Sequence, residues 1–197
     1  MSVLDLDFFK IEHNNIDPEK GKVLISEPFL QDTYFKRSVV LLTEHNEDGS
    51  IGFVLNNPID FSLDEILKNF PDFEANISLG GPVSTSTVHF IHSLGKLIPD
   101  GQQVSGNIQW GGDFDEITTM IKAGLINKNQ IRFFVGYSSW YPDQLNKEIS
   151  ENSWVVSELS DTDIMEKSEK DMWKYSVKSL GKKYKRWMEY PENPNFN

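Results

Sequence analysis

The sequence contains no cysteine. That absence removes disulfides, thiolate zinc sites and cysteine nucleophiles from consideration. It fits a reducing compartment, and a cytoplasmic location is the expectation. No window approaches the roughly 20 apolar residues that span a bilayer. The opening residues, Met1-Ser2-Val3-Leu4-Asp5-Leu6-Asp7, lack the basic region and apolar run of a signal peptide. A soluble chain with no membrane partner is therefore expected. Positive charge is also scarce: 19 Lys and Arg against 30 Asp and Glu leave a formal net charge of −11 and a pI near 4.8. Binding to nucleic acid draws most of its free energy from cations that neutralise phosphates. Nucleic acid is thus an unfavourable partner unless the few cations cluster. One cluster exists, Lys182, Lys183, Lys185 and Arg186, with Tyr184 and Trp187 interleaved. At the end of a carboxy-terminal helix such cations complement the dipole and the last carbonyls, and that is the expected role.

What is present is enough chain for a core. With 197 residues, surface scaling implies that roughly 70% of the unfolded surface is buried on folding. Residues 1–20 read as a polar extension with one apolar stretch (Leu4, Leu6, Phe8, Phe9, Ile11) able to dock as a helix. Residues 21–190 read as a single domain and residues 191–197 as a flexible tail. Gly21 opens a strand over Val23-Leu24-Ile25. The runs Ser38 to Thr43 and Ile51 to Leu55, separated by Glu47-Asp48-Gly49-Ser50, read as a hairpin turned by Asp-Gly. Both runs are continuously apolar, so both faces of these strands should be covered.

Ser62-Leu63-Asp64-Glu65 has capping-box spacing. Asp113 to Ala123 carries apolar residues at helical spacing and ends at Gly124. Thr85 to Ile91, Ile131 to Tyr137 and Trp154 to Val156 read as strands. Glu169 to Leu180 reads as the last helix, and Pro142 to Glu151 as a helix with proline in its first position. Strands and helices do not alternate regularly and the first strong pair is antiparallel, which favours an α+β fold.

No chemical motif is complete. Gly136-Tyr137-Ser138-Ser139-Trp140 lies where a nucleophile elbow would, but Trp140 stands where the last glycine of G-x-S-x-G is required. The two serines read as turn and capping residues. His89 and His92 are three apart in a strand, so they face opposite ways and cannot share an ion. His13 and His45 add no cluster at a recognised spacing, and no metal or cofactor is expected. Gly80-Gly81-Pro82 is a turn or close-packing element, because no phosphate-loop pattern occurs. The densest polar-aromatic stretch is Tyr137, Trp140, Tyr141, Gln144, Glu148 and Trp154, with Gln144 and Glu148 four apart on one helical face. Such a set can line a cleft, or it can cover the core with polar tips outward.

Taken in order, several segments resemble the AlgH/YqgE family of bacterial proteins. They are Gly21-Lys22-Val23-Leu24-Ile25-Ser26-Glu27-Pro28, Phe35 to Leu42, Glu44-His45, Gly52-Phe53-Val54-Leu55-Asn56-Asn57-Pro58, Gly80-Gly81-Pro82-Val83, His92, Gly136-Tyr137, and Trp140 with Gln144-Leu145. The resemblance runs from Gly21 to about Leu180. It implies a bifurcated β-sheet containing a small closed β-barrel, flanked by helices, and members labelled as transcriptional regulators or uncharacterised proteins. It carries over no catalytic residues. Ser139, Asp143 and Asn146 depart from the two later glycines and the glutamate of the family segment, and Asn57 stands where a basic residue is usual.

Residues and resemblance together give the candidate binding set Asn56, Gly80, Gly81, Pro82, His92, Tyr137, Trp140, Gln144 and Glu148. The leading expectation is a regulator without catalysis that recognises an unknown protein or small molecule through the Tyr137–Glu148 surface. The alternatives are direct DNA binding, which the charge opposes, and a hydrolase or transferase using His45, His92 or Glu148 as acid or base.

Overall fold

The apolar runs over residues 38–55 are covered on both sides in the computed structural model, which describes residues 14–191. Three strands lead: β1 (Val23–Ser26), β2 (Val39–Asn46) and β3 (Gly49–Val54). Alternate side chains enter different cores. Val23, Ile25, Val39 and Leu41 pack into one, while Leu24, Val40, Leu42 and Val54 pack into another. The expected hairpin joins β2 to β3, with Asn46 opposite Gly49, so its turn tightens to Glu47-Asp48. The remaining strands are β4 (Asn76–Leu79), β5 (Val83–His92), β6 (Gln102–Ser105), β7 (Ile108–Trp110), β8 (Ile131–Trp140) and β9 (Trp154–Ser157).

All nine strands form one sheet in the order β6-β7-β5-β8-β3-β2-β1-β9, with β4 added to β8 off that path. The sheet forks at β8. One edge of β8 carries β5. The other is shared: β4 runs parallel to Arg132–Val135, and β3 runs antiparallel to Ser138–Trp140. Gly80 sits in the fork. Its N–H donates to Val135 O at 2.8 Å, and its carbonyl accepts from Val54 N at 2.9 Å and from Ser138 Oγ at 3.0 Å. A Cβ there would lie 2.4 Å from Gly136 O, so only glycine lets the branches meet.

Helices cover both faces. The helix α1 (Leu63–Ile66) starts at Ser62, whose N–H and hydroxyl both donate to Glu65 Oε2. In α2 (Phe114–Lys122) the Asp113 carboxylate accepts from Asp115 N and Glu116 N, and Gly124 (φ 68°) follows the end. These two helices enclose an apolar cluster around Phe90, Ile131 and Phe133. The helices α4 (Asp161–Glu166) and α5 (Glu169–Ser179) cover the core of Val23, Ile25, Val39 and Leu41, while α3 (Gln144–Ser150) covers the core of Leu24, Val40, Leu42 and Val54.

The α+β fold, with a bifurcated sheet flanked by helices, is what the structure shows. Among the described residues the sheet does not close into the barrel that the resemblance implies. The gap beyond β6 is bridged otherwise: Asp161 Oδ2 accepts from Asn107 N at 2.6 Å, and a Cβ on Gly21 would lie 2.8 Å from the Ser105 Cβ. Side-chain bonding and glycine packing replace a ladder.

Three local expectations change. Pro142 does not start α3; Asp143, in left-handed conformation (φ 63°), is its N-cap, so the helix begins two residues later. Ser138 and Ser139 are strand residues of β8 and not turn or capping residues. The Lys182–Arg186 run does not end α5 either. Gly181 (φ 98°) stops that helix, and Lys182–Glu189 is a separate 3₁₀ segment whose Tyr184 and Trp187 are buried. The Leu4–Ile11 stretch, His13 and residues 192–197 lie outside the described residues.

Candidate functional site

The turn from β8 into α3 gathers the polar-aromatic stretch into one node. Glu148 Oε2 accepts from Trp140 Nε1 at 2.9 Å and from Trp154 Nε1 at 2.8 Å, while Glu148 Oε1 accepts from Gln144 Nε2 at 2.9 Å. The four-residue spacing of Gln144 and Glu148 thus does place them on one face. Gln144 Oε1 in turn accepts from Tyr141 N at 3.0 Å, and Gln144 N donates to Tyr141 O at 3.1 Å, closing the turn. Phe35 packs against both indoles, with centroids 6.0 Å from Trp140 and 5.4 Å from Trp154. Trp154 is 1% exposed, so this carboxylate serves indoles that could find no other acceptor. The node is scaffold.

The remaining candidates are dispersed. Asn56 Oδ1 accepts from Val39 N at 2.7 Å and its Nδ2 donates to Arg37 O at 2.9 Å, tying down the entry to β2. Gly80 and Gly81 belong to the fork; a Cβ on Gly81 would lie 2.4 Å from Ser138 Oγ. Pro82 is exposed beside them, and Val83 pairs with Tyr137. His92 is fully buried and both ring nitrogens are engaged. Leu94 N donates to Nδ1 at 3.2 Å, so Nε2 carries the proton and donates to Gly111 O at 3.1 Å. Burial pushes this imidazole below its ordinary range, with the Gly111 carbonyl opposing. His89 lies on the other face of β5, with its ring centroid 5.4 Å from Phe53 and 5.6 Å from Tyr137, and burial lowers its pKa too. The two histidines are therefore on opposite faces, as strand alternation requires. Among the described residues no three His, Asp or Glu side chains gather to hold a metal ion.

The sequence reading did not single out Arg132, although an arginine in a continuous apolar strand needs a partner. It is fully buried in β8. Its Nη1 donates to Ile164 O at 2.7 Å, and its Nη2 donates to Leu55 O at 2.6 Å and to Glu169 Oε1 at 3.2 Å. Burial lowers its pKa to about 10 and Glu169 opposes that, so the guanidinium stays charged at neutral pH and pins the α4–α5 junction to the sheet.

An open groove of about 480 Å³ lies beside the turn that carries the scaffold node. Its walls are the tip of the β2–β3 hairpin (His45, Asn46, Glu47, Ser50) and the β8–α3 turn (Tyr141, Asp143, Asn146). The approach depends on Gly49, where a Cβ would lie 2.3 Å from Trp140 O. Ser50 pairs with Trp140 across β3 and β8, which fixes the two walls in register. Tyr141 is 82% exposed at the rim. His45 Nδ1 lies 2.8 Å from Ser50 Oγ, a separation a nucleophile and its base could share. The two are cross-strand partners, however, and Ser50 is only 4% exposed, so the pair acts as a latch across the hairpin. Neither His92 nor Glu148 lines this groove.

No helix among the described residues is long and apolar enough to cross a membrane. A family model described as AlgH-like matches residues 23–185. A UPF0301 protein of Parabacteroides distasonis is 46% identical over 193 residues, covering 97% of this chain and 98% of that relative. Another from Bacteroides thetaiotaomicron is 44% identical, covering 98% and 99%. The solution structure of the AlgH protein from Pseudomonas aeruginosa superposes with a TM-score of 0.68 at 26% identity, covering 86% of this chain and 93% of that one. A crystal structure of a Corynebacterium diphtheriae protein gives a TM-score of 0.71 at 20% identity, covering 89% and 93%. With its ordered motifs and its forked sheet matched along nearly its whole length, this chain belongs to the AlgH-like family of UPF0301 proteins.

Proposed function

We propose that the chain is a non-catalytic regulatory domain that binds a protein or small-molecule partner in the groove between residues 46–50 and 141–146. One observation carries this reading. Of the three candidates for acid–base work, Glu148 and His92 have their polar atoms committed to internal hydrogen bonds and His45 Nδ1 is held by the nearly buried Ser50 hydroxyl, whereas the groove beside them presents an exposed aromatic rim. Tyrosine is a favoured anchor at recognition surfaces because it offers large contact area with few rotatable bonds. The groove's other walls are amides and carboxylates (Asn46, Glu47, Asp143, Asn146), which suits a ligand rich in hydrogen-bond donors. Regulation of transcription, the role that the resemblance implies, would then pass through that partner. Direct contact with DNA is disfavoured by the net charge of −11.

Affinity capture with the immobilised chain tests the reading. A partner held by the native chain should be depleted about tenfold by the Tyr141→Ala/Asn146→Ala double variant, as loss of an aromatic anchor predicts. The melting midpoint should be unchanged. Retention of every captured partner by the variant would contradict the proposal.

A further inference from the structure

Positive charge is scarce in this chain and is also segregated. The twenty residues from Lys167 to Arg186 hold eight of the 19 Lys and Arg and only two of the 30 Asp and Glu, Glu169 and Asp171. Glu169 is paired with the buried Arg132, and Lys167 is occupied by Asp163 at 3.7 Å and by the Tyr175 ring at 3.5 Å. The remaining cations line up. Lys170, Lys174 and Lys178 recur every fourth residue along the exposed side of α5, whose other side buries Met172, Trp173 and Val177. Past Gly181, Lys182, Lys183, Lys185 and Arg186 are again exposed while Tyr184 and Trp187 are buried. Lys170, Lys174, Lys178, Lys182 and Lys185 make no ion pair or side-chain hydrogen bond with the described residues.

We infer that this stripe is a second recognition surface, independent of the groove, and that it binds an acidic segment of a protein partner. Spacing and length support that occupant. Successive lysines at four-residue intervals are about 6 Å apart along the axis, and Lys170 to Lys178 span about 12 Å. Carboxylates on every fourth residue of a helix, or every second residue of an extended strand at roughly 3.3 Å per residue, repeat at nearly the same distance. A short acidic segment ends where the stripe ends. A nucleic-acid duplex, with one charge per about 1.7 Å, runs on past it and meets a surface carrying the other 28 carboxylates. An anionic bilayer also fits poorly, because interfacial binding needs apolar side chains beside the cations. The two aromatics of the stripe face the core, and the large exposed apolar residues of the fold (Ile16, Phe29, Phe61, Leu97, Leu125 and Tyr141) all lie outside it.

Fluorescence polarisation of a labelled decaglutamate peptide tests the inference, with a 12-base-pair duplex and phosphatidylserine vesicles as competing probes. The full chain should bind the peptide at 20 mM salt and lose about tenfold in affinity by 200 mM, as screening shortens the reach of exposed charges. Lys170→Glu/Lys174→Glu/Lys178→Glu should weaken peptide binding at least about tenfold, the range expected when like charges are opposed. The matched reversal Lys68→Glu/Lys96→Glu/Lys122→Glu, which changes net charge equally at exposed sites on other elements, should weaken it by no more than about twofold, since exposed charges that do not contact the peptide act on it only through solvent and salt. Thermal melts establish that both variants fold; if the stripe reversal does not, the neutral Lys→Gln triple at the same positions takes its place. No peptide binding at 20 mM salt, equal weakening by the two reversals, or tighter binding to duplex or vesicles each overturns the inference.

Discussion

At the scale of single residues, polar side chains that look reactive in the sequence are mostly structural. Glu148 is the clearest case, one carboxylate serving two indoles and an amide. Hydrogen bonds to a charged acceptor contribute about 1.5–3 kcal/mol each, and unpaired buried donors add a penalty. With allowance for the partial exposure of this carboxylate, Glu148→Ala should lose about 3 kcal/mol in urea unfolding and Glu148→Gln about 1 kcal/mol. A loss below about 1 kcal/mol for the alanine variant contradicts the scaffold role.

His92 sets a pH dependence. Burial depresses its folded pKa below the unfolded value of about 6.5, so the unfolded chain binds the extra proton in that window. Stability is fully present above about pH 6.5 and declines as pH falls through the folded pKa. The drop in urea midpoint between pH 7.5 and pH 5.5 should shrink in His92→Gln, with a remainder from His89, whose shift has the same sign. An unchanged drop removes His92 from the account. The four-residue spacing of Gln144 and Glu148 was legible because helical geometry is local. The convergence of Trp154 on the same oxygen was not, because β9 lies beyond α3 and only the fold unites them.

At the scale of elements, the fork at β8 governs how the sheet divides. Gly80 must accommodate Gly136 O, so Gly80→Ala forces backbone apart and should lower stability by about 2 kcal/mol or more, as overpacking does. A calorimetric melt unchanged by this substitution would falsify the close-packing account. The β2–β3 hairpin, β5, β8, β9, α2 and α5 were readable, since long apolar runs and caps announce them. The strands β4, β6 and β7 were not: Asn76–Leu79, Gln102–Ser105 and Ile108–Trp110 are three or four residues long and carry no run to detect. Pro142 misled as a helix start because the left-handed Asp143 intervenes, a backbone choice set by Gln144 closing the turn on Tyr141. The absence of barrel closure was not legible either, because it is a tertiary feature: among the described residues β6 and β9 end the strand order unpaired with each other, and Asp161 Oδ2 accepts from Asn107 N beside β6.

At the scale of the whole molecule, two surfaces stand out against an acidic background, the groove below Tyr141 and the lysine row on α5. Composition exposed the charge deficit at once. The groove was hidden, because its two walls come from segments nearly a hundred residues apart. The central claim is that the groove recognises a partner and the Glu148 node only supports it. The most direct test is a nitrogen-15 amide spectrum of the labelled chain titrated with a partner captured by the native protein. Shift changes should concentrate at residues 45–50 and 141–146, with the indole signals of Trp140 and Trp154 nearly stationary. Changes confined to other surfaces, with the groove amides unmoved at saturation, contradict the claim.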